Sequence, residues 1–211
     1  MARAVFGDRL AVAERFVELL AGEGAAWGLI GPREVDRLWD RHLINCAVLT
    51  ELLPPQARIV DVGSGAGLPG LALVCRRGDL MVDLVESMQR RTEFLERCVL
   101  ALELTASVRI VRGRAEDPAV LAQVGDADWV TARAVAPLDR LAGWCLPLLK
   151  VGGAVLALKG ARAAEEVATH SAAIRRLGAT IEGVVQCGVG LVNEPAVVVV
   201  IRKVSRPGER I

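Results

Sequence analysis

Residues 59–70 read Ile59-Val60-Asp61-Val62-Gly63-Ser64-Gly65-Ala66-Gly67-Leu68-Pro69-Gly70. Three apolar residues interrupted by one Asp have the density of a short buried strand. The glycines that follow let the backbone turn sharply and approach a ligand with no Cβ in the way. Beyond Pro69 the run Leu71-Ala72-Leu73-Val74 restarts at helical density, so the turn opens a helix whose free N-terminal amides face back over the glycines. Strand, glycine turn and helix form the first half of a nucleotide-binding βαβ unit.

The spacing of the glycines narrows the nucleotide. A dinucleotide fingerprint counted from Gly63 requires its third glycine where Leu68 stands; counted from Gly65, it overshoots the strand and takes in Pro69. The pattern Asp-x-Gly-x-Gly-x-Gly suits S-adenosylmethionine, which has no pyrophosphate for a helix dipole to hold. Gly63, Gly65 and Gly67, with Ser64 between them, then make room for the methionine part, and Asp61 fixes either the loop or the ammonium group. A tight turn without a ligand is the competing reading of the same glycines.

The segments downstream repeat the βα rhythm. Residues 80–85 read as a second strand ending in Glu86, about 20 residues past the loop, where an acidic side chain accepts hydrogen bonds from ribose hydroxyls. Ser87 and Met88 follow it at the same edge and open the next helix. A third strand, residues 108–111, leads into Gly113-Arg114-Ala115-Glu116-Asp117, where Ala115 and Glu116 are placed to meet an adenine ring and its amine; helix capping is the other explanation of the acids. Residues 129–135 read as a fourth strand carrying Arg133 to that edge, its alternative role being a salt bridge with a strand-end acid. A helix over 138–149, a fifth strand over 154–158 with Lys159-Gly160 at its end, and a helix over 161–177 follow. Strands 180–185 and 196–201 have no room between them for a crossover helix and are expected to pair antiparallel. The fold class is therefore α/β: a Rossmann-like class I S-adenosylmethionine-dependent methyltransferase with a seven-stranded, mostly parallel sheet and an antiparallel last strand. Residues 56–211 are expected to form that domain as one compact unit.

Residues 1–55 read as a helical extension. Leu10, Val12, Ala13, Phe16, Val17, Leu19 and Leu20 give one apolar helical face, which Gly22 and Gly24 are expected to end. A second helix opens at Gly31-Pro32 and runs to Pro54-Pro55. On it Arg33, Arg37 and Arg41 recur every fourth residue, with His42 alongside. They read either as a solvated face paired with Glu34, Asp36 and Asp40 or as a patch for a polyanion.

Composition removes several classes. At 211 residues and a net charge of +1, the chain lacks the global basicity of many nucleic-acid binders, so a polyanion must be held by local patches. No uncharged apolar run has the length of a membrane span, and no signal-peptide core is visible at the start. The five cysteines are widely spaced within apolar runs, without a CxxC or zinc pattern, which fits reduced core thiols of a cytoplasmic protein and no metal site.

Taken together, the motifs resemble those of the bacterial 16S ribosomal RNA guanine-N7 methyltransferases, also called glucose-inhibited division protein B. The resemblance covers nearly the whole chain. It is carried by Trp39-Asp40-Arg41-His42-Leu43, the Asp61–Gly70 stretch, Arg90-Arg91 with Phe94-Leu95, Gly113-Arg114-Ala115-Glu116, Ala132-Arg133-Ala134 and Leu158-Lys159-Gly160, in that order. It implies that Gly63 and Leu68 contact S-adenosylmethionine, Glu86 its ribose, and Ala115 and Glu116 its adenine, with Arg133 at the boundary of cofactor and substrate. Leu68 stands where many members have Phe and remains an apolar cover; Asn45 stands where Asp is more usual.

The implied substrate is one guanine of 16S rRNA, free or in the 30S subunit or an assembly intermediate of it, for an enzyme expected to be monomeric. Its loss is expected to alter streptomycin sensitivity. Guanine N7 carries an in-plane lone pair and no proton, so its attack on a sulfonium methyl needs alignment and desolvation and no general base. N7 also lies in the deep groove of RNA, so the target base must be unpaired or splayed. Arg133 and Lys159 are the expected positioning residues, and Arg37, Arg41, His42, Arg90 and Arg91 the expected RNA-facing ones. Two other readings stay open: a methyltransferase acting on a small molecule under a helical lid, and a noncatalytic nucleotide-binding regulator.

Overall fold

The structure is a computed structural model that describes residues 1–133 and 136–205. Ala134 and Val135, the expected end of the fourth strand, lie outside the described residues. Among the described residues seven strands form one sheet: β1 Arg58–Val62, β2 Met81–Glu86, β3 Val108–Arg112, β4 Ala127–Arg133, β5 Leu149–Lys159, β6 Ala179–Cys187 and β7 Ala196–Lys203. Their order is β3-β2-β1-β4-β5-β7-β6. Strands β1 to β5 pair in parallel, and β7 runs antiparallel to both β5 and β6. The last strand in sequence is thus inserted between β5 and β6 rather than added at the edge. This is the expected architecture, and its chain reversal falls between β1 and β4. In an open parallel sheet such a switch point opens a crevice beyond the carboxyl ends of the strands.

The helices are α1 Ala2–Phe6, α2 Leu10–Leu19, α3 Asn45–Ala47, α4 Gly70–Arg76, α5 Gln89–Ala101, α6 Pro118–Val124, α7 Leu138–Cys145 and α8 Ala163–Arg176. Two apolar cores sandwich the sheet. One packs Phe16, Leu20, Leu43 and Leu49 of the N-terminal segments with Leu71 and Leu73 of α4, Leu84 of β2, Phe94 of α5 and Leu156 of β5. The other joins Val60, Val130, Val155 and Val199 from the opposite face of the sheet to Leu138, Leu141 and Ile174 of α7 and α8. Alternation along each strand divides the side chains between the two layers.

Three local expectations need correction. Gly22 and Gly24 do not end the first helix; a wide turn over Leu20–Gly24 carries it onward. The single helix expected over residues 32–53 is a succession of a tight 3-10 segment Pro32–Arg37, a wide segment Leu38–Ile44, α3, and a second 3-10 segment Val48–Leu52. A four-residue arginine spacing therefore does not produce the even stripe an ideal α-helix would give, although Arg33, Arg37 and Arg41 all remain exposed. Finally, α7 stops at Cys145 and β5 begins at Leu149, five residues before the expected strand.

Candidate functional site

The glycine loop leaves the carboxyl end of β1 at the switch point. Gly63, Gly65 and Gly67 have φ of 70°, 57° and 88°, the left-handed region where a Cβ is strained. At Gly67 space is limiting as well, because an added Cβ would lie 2.6 Å from Leu71 Cδ1. Two buried carboxylates hold this loop. Asp61, fully buried in β1, accepts the Gly70 N–H on Oδ2 at 3.0 Å and the Thr131 hydroxyl on Oδ1 at 3.1 Å. It thereby ties the start of α4 and strand β4 to the same point, while the buried Ser64 hydroxyl donates to the Asp61 carbonyl at 2.9 Å. Burial pushes the Asp61 carboxyl up to about 6, against the lowering effect of those hydrogen bonds. Between the two roles the sequence left open, the described contacts engage Asp61 in fixing the loop.

Glu86 is the second. Only 3% exposed at the end of β2, it accepts the Gly65 N–H on Oε2 at 3.0 Å and the Met88 N–H on Oε1 at 2.9 Å, with the Arg91 guanidinium 3.5 Å away. Its backbone carbonyl accepts the Gly113 N–H at 3.1 Å, which joins the ends of β2 and β3. Ser87 and Met88 are exposed beside it. Ala115 is buried and Glu116 exposed on the following turn, where the Asp117 carboxylate accepts the Arg114 N–H at 2.8 Å. Leu68 is buried in the core that includes Phe16 and Leu71.

Beside the loop, at the carboxyl ends of β4 and β5, lies a cleft of about 950 Å³ between the N-terminal segment and α8; Arg41, His42, Asn45, Arg133, Lys159 and His170 are among its lining residues. Arg133 is half-buried. One guanidinium nitrogen donates to His42 Nδ1 at 3.0 Å, and the other lies 3.5 Å from Cys46 Sγ. His42 in turn meets Glu34 through Nε2 at 2.7 Å, and Arg41 stands 3.8 Å from the same carboxylate. Lys159, its side chain 8% exposed, donates to the Ala136 carbonyl at 2.8 Å and pairs with Glu166 at 2.7 Å. Arg37, Arg41 and Arg90 are exposed and Arg91 half-buried, whereas His42 faces Arg133 and Glu34.

Glu86, Arg133 and Lys159 end β2, β4 and β5 as the sequence placed them. Their surroundings were not anticipated: Thr131 bonds Asp61, and Glu166 pairs with Lys159. Trp27 was missed too: the Arg90 and Arg97 guanidinium carbons lie 5.8 Å from the centre of its ring, at the start and middle of α5. Such contacts link residues far apart in the chain, and no local pattern announces them.

The family profile described as rRNA small subunit methyltransferase G (GidB) matches residues 9–193. The chain belongs to this family. Curated relatives carry the same name, Ribosomal RNA small subunit methyltransferase G. That of Salinispora arenicola is 58% identical, covering 96% of this chain and 85% of its own length. That of Rhodococcus jostii is 51% identical, covering 99% and 91%. Among solved structures, an S-adenosyl-L-methionine-dependent methyltransferase of Methanococcus maripaludis superposes with a TM-score of 0.61 at 15% identity, covering 86% of this chain and 94% of that one. An O-methyltransferase of neocarzinostatin biosynthesis, solved with S-adenosyl-L-homocysteine, gives 0.58 at 17% identity over 71% and 50%. The fold of this rRNA small subunit methyltransferase G family member is therefore that of the class I methyltransferases. No helix among the described residues is long and apolar enough to cross a membrane.

Proposed function

We propose that the protein transfers a methyl group from S-adenosylmethionine to N7 of one guanine in 16S rRNA, acting in the cytoplasm as a monomer on the small subunit or a precursor of it. The observation that carries this reading is the family match over residues 9–193, on a fold that sets the glycine loop beside a cleft lined by Arg133.

The loop suits the cofactor: three left-handed glycines turn the backbone sharply at the end of β1, and two buried carboxylates fix its shape. Glu86 spends one lone pair of each oxygen on backbone amides, and the remaining lone pairs can accept ribose hydroxyls. Ala115 and Glu116 would face the adenine, Gly63 and Leu68 would border the methionine part, and Ser87 and Met88 would flank the ribose. When bound, S-adenosylmethionine supplies an electrophilic methyl carbon on a positively charged sulfur. The chain's own contribution is alignment. N7 needs no deprotonation, so no general base is required, and what accelerates transfer is holding the lone pair in line with the methyl in a site closed to water.

Arg133 positions the RNA at the boundary of the two sites, whereas Lys159, expected beside it as a positioning residue, is engaged by Glu166 and the Ala136 carbonyl and braces the cleft wall. Arg37, Arg41, Arg90 and Arg91 supply backbone contacts around it, which orient the RNA without reading its sequence. Mass mapping of 16S rRNA from a strain lacking the protein tests the reading. One guanine should lose its N7 methyl, restored by the wild type and not by Gly63→Asp. An unchanged methylation map refutes the substrate assignment.

A further inference from the structure

Glu34, His42 and Arg133 stand in line, the first two in the segments after Gly31 and the third at the end of β4. The contacts are 2.7 Å from Glu34 to His42 Nε2 and 3.0 Å from His42 Nδ1 to the Arg133 guanidinium. A guanidinium only donates, so Nδ1 must carry a lone pair at that contact, and the ring proton of the neutral imidazole sits on Nε2. There it donates to Glu34. The chemistry of the two ends thus selects one tautomer.

We infer that His42 is a positioning residue: a neutral acceptor, its tautomer set by Glu34, that aims the Arg133 guanidinium at the cleft. This goes beyond its expected part in an RNA-facing basic patch, and it rests on the reading of the cleft as the rRNA site. The charged groups acting on His42 are Glu34 from the preceding 3-10 segment, Arg41 from its own segment and Arg133 from β4. Burial, helped by the two arginines and opposed by Glu34, holds the imidazole below its ordinary range. Protonating Nδ1 would set an N–H against the guanidinium N–H groups and turn Arg133 away, so the arrangement is competent only with His42 neutral.

Two substitutions separate the ends of the relay. His42→Asn keeps an oxygen near the place of Nδ1 and loses the reach to Glu34; His42→Gln keeps a donor near the place of Nε2 and loses the acceptor for Arg133. Methyl transfer to 30S subunits is measured for both between about pH 5 and 8. His42→Gln should lower kcat by about tenfold or more, His42→Asn by much less, and the acid limb of the wild-type profile should vanish in His42→Asn. Equal losses in the two variants, an acid limb kept by His42→Asn, or a rise in KM alone with a shallower salt dependence would overturn the inference.

Imidazole nitrogen NMR gives a readout without RNA, in a chain with only two histidines. Arg133→Met should raise the His42 pKa while Nε2 keeps its proton toward Glu34, and Glu34→Gln should release the tautomer. An unchanged titration would show that the relay is absent, whereas a wild type that transfers no methyl to the subunit while the NMR shift appears would refute the substrate reading and leave the relay standing.

Discussion

Glu86 Oε2 accepts the backbone N–H of Gly65 at 3.0 Å, so the acid that ends β2 is also a strut of the loop that ends β1. Glu86→Gln would turn an amide NH₂ or a single remaining oxygen toward two N–H donors, Gly65 and Met88, and leave one of them unsatisfied. A buried unpaired donor costs about 1–3 kcal/mol. We expect that loss in a denaturant melt, together with cofactor binding weakened at least about tenfold in calorimetry. Full affinity in Glu86→Gln would contradict the strut.

The Asp61 carboxyl, raised to about 6 by burial, makes stability depend on pH. Because its folded value lies above the unfolded one, the contribution is fully present below about pH 4 and is lost as pH rises through 6. Asp61→Asn retains an oxygen for Gly70 and offers its NH₂ to the Thr131 hydroxyl. The variant should therefore gain on the wild type as pH rises from 4 to 7, by on the order of 1–3 kcal/mol. Parallel stability profiles of the two proteins would exclude this account.

Gly70 begins α4 against Asp61 and Leu84; an added Cβ would lie 2.8 Å from Asp61 Oδ2 and closer still to the Leu84 side chain. Gly70→Ala should cost about 1–3 kcal/mol by overpacking and displace the glycine loop, so that cofactor affinity falls with stability. Thermal unfolding and binding measured together check this; an unchanged melting temperature would contradict it.

Lys159 is nearly enclosed, and Glu166 is its charge partner. Removing one side of such a pair leaves the other desolvated, although the partial exposure of Glu166 reduces the penalty. Lys159→Met should lower stability by about 1–3 kcal/mol while leaving the salt dependence of RNA binding unchanged. A slope lower by about one charge would instead assign Lys159 to a phosphate.

Arg90 is exposed over Trp27 at the start of α5. Arg90→Ala should weaken RNA binding uniformly and reduce the slope of log affinity against log salt by about 0.7–0.9. Filter binding with 16S rRNA fragments at several salt concentrations measures the slope, and an unaltered value would remove Arg90 from the interface.

The alternating segments from residue 59 to 201 determined the sheet, because strand and helix periodicity and glycine placement are local properties of the chain. The same locality revealed the Asp61–Gly70 loop and the strand-end residues Glu86, Arg133 and Lys159. It failed over residues 32–52, where an apolar face of helical density folds as a mixture of tight and wide turns: burial of Leu38, Leu43 and Leu49 in the apolar core outweighs regular hydrogen bonding. What only the tertiary structure decided is the company each candidate residue keeps. His42 stands 91 positions from Arg133 and Asp61 stands 70 from Thr131, yet both pairs are hydrogen-bonded. A side chain's charge, tautomer and direction depend on partners brought near by packing, and packing is a property of the folded chain as a whole.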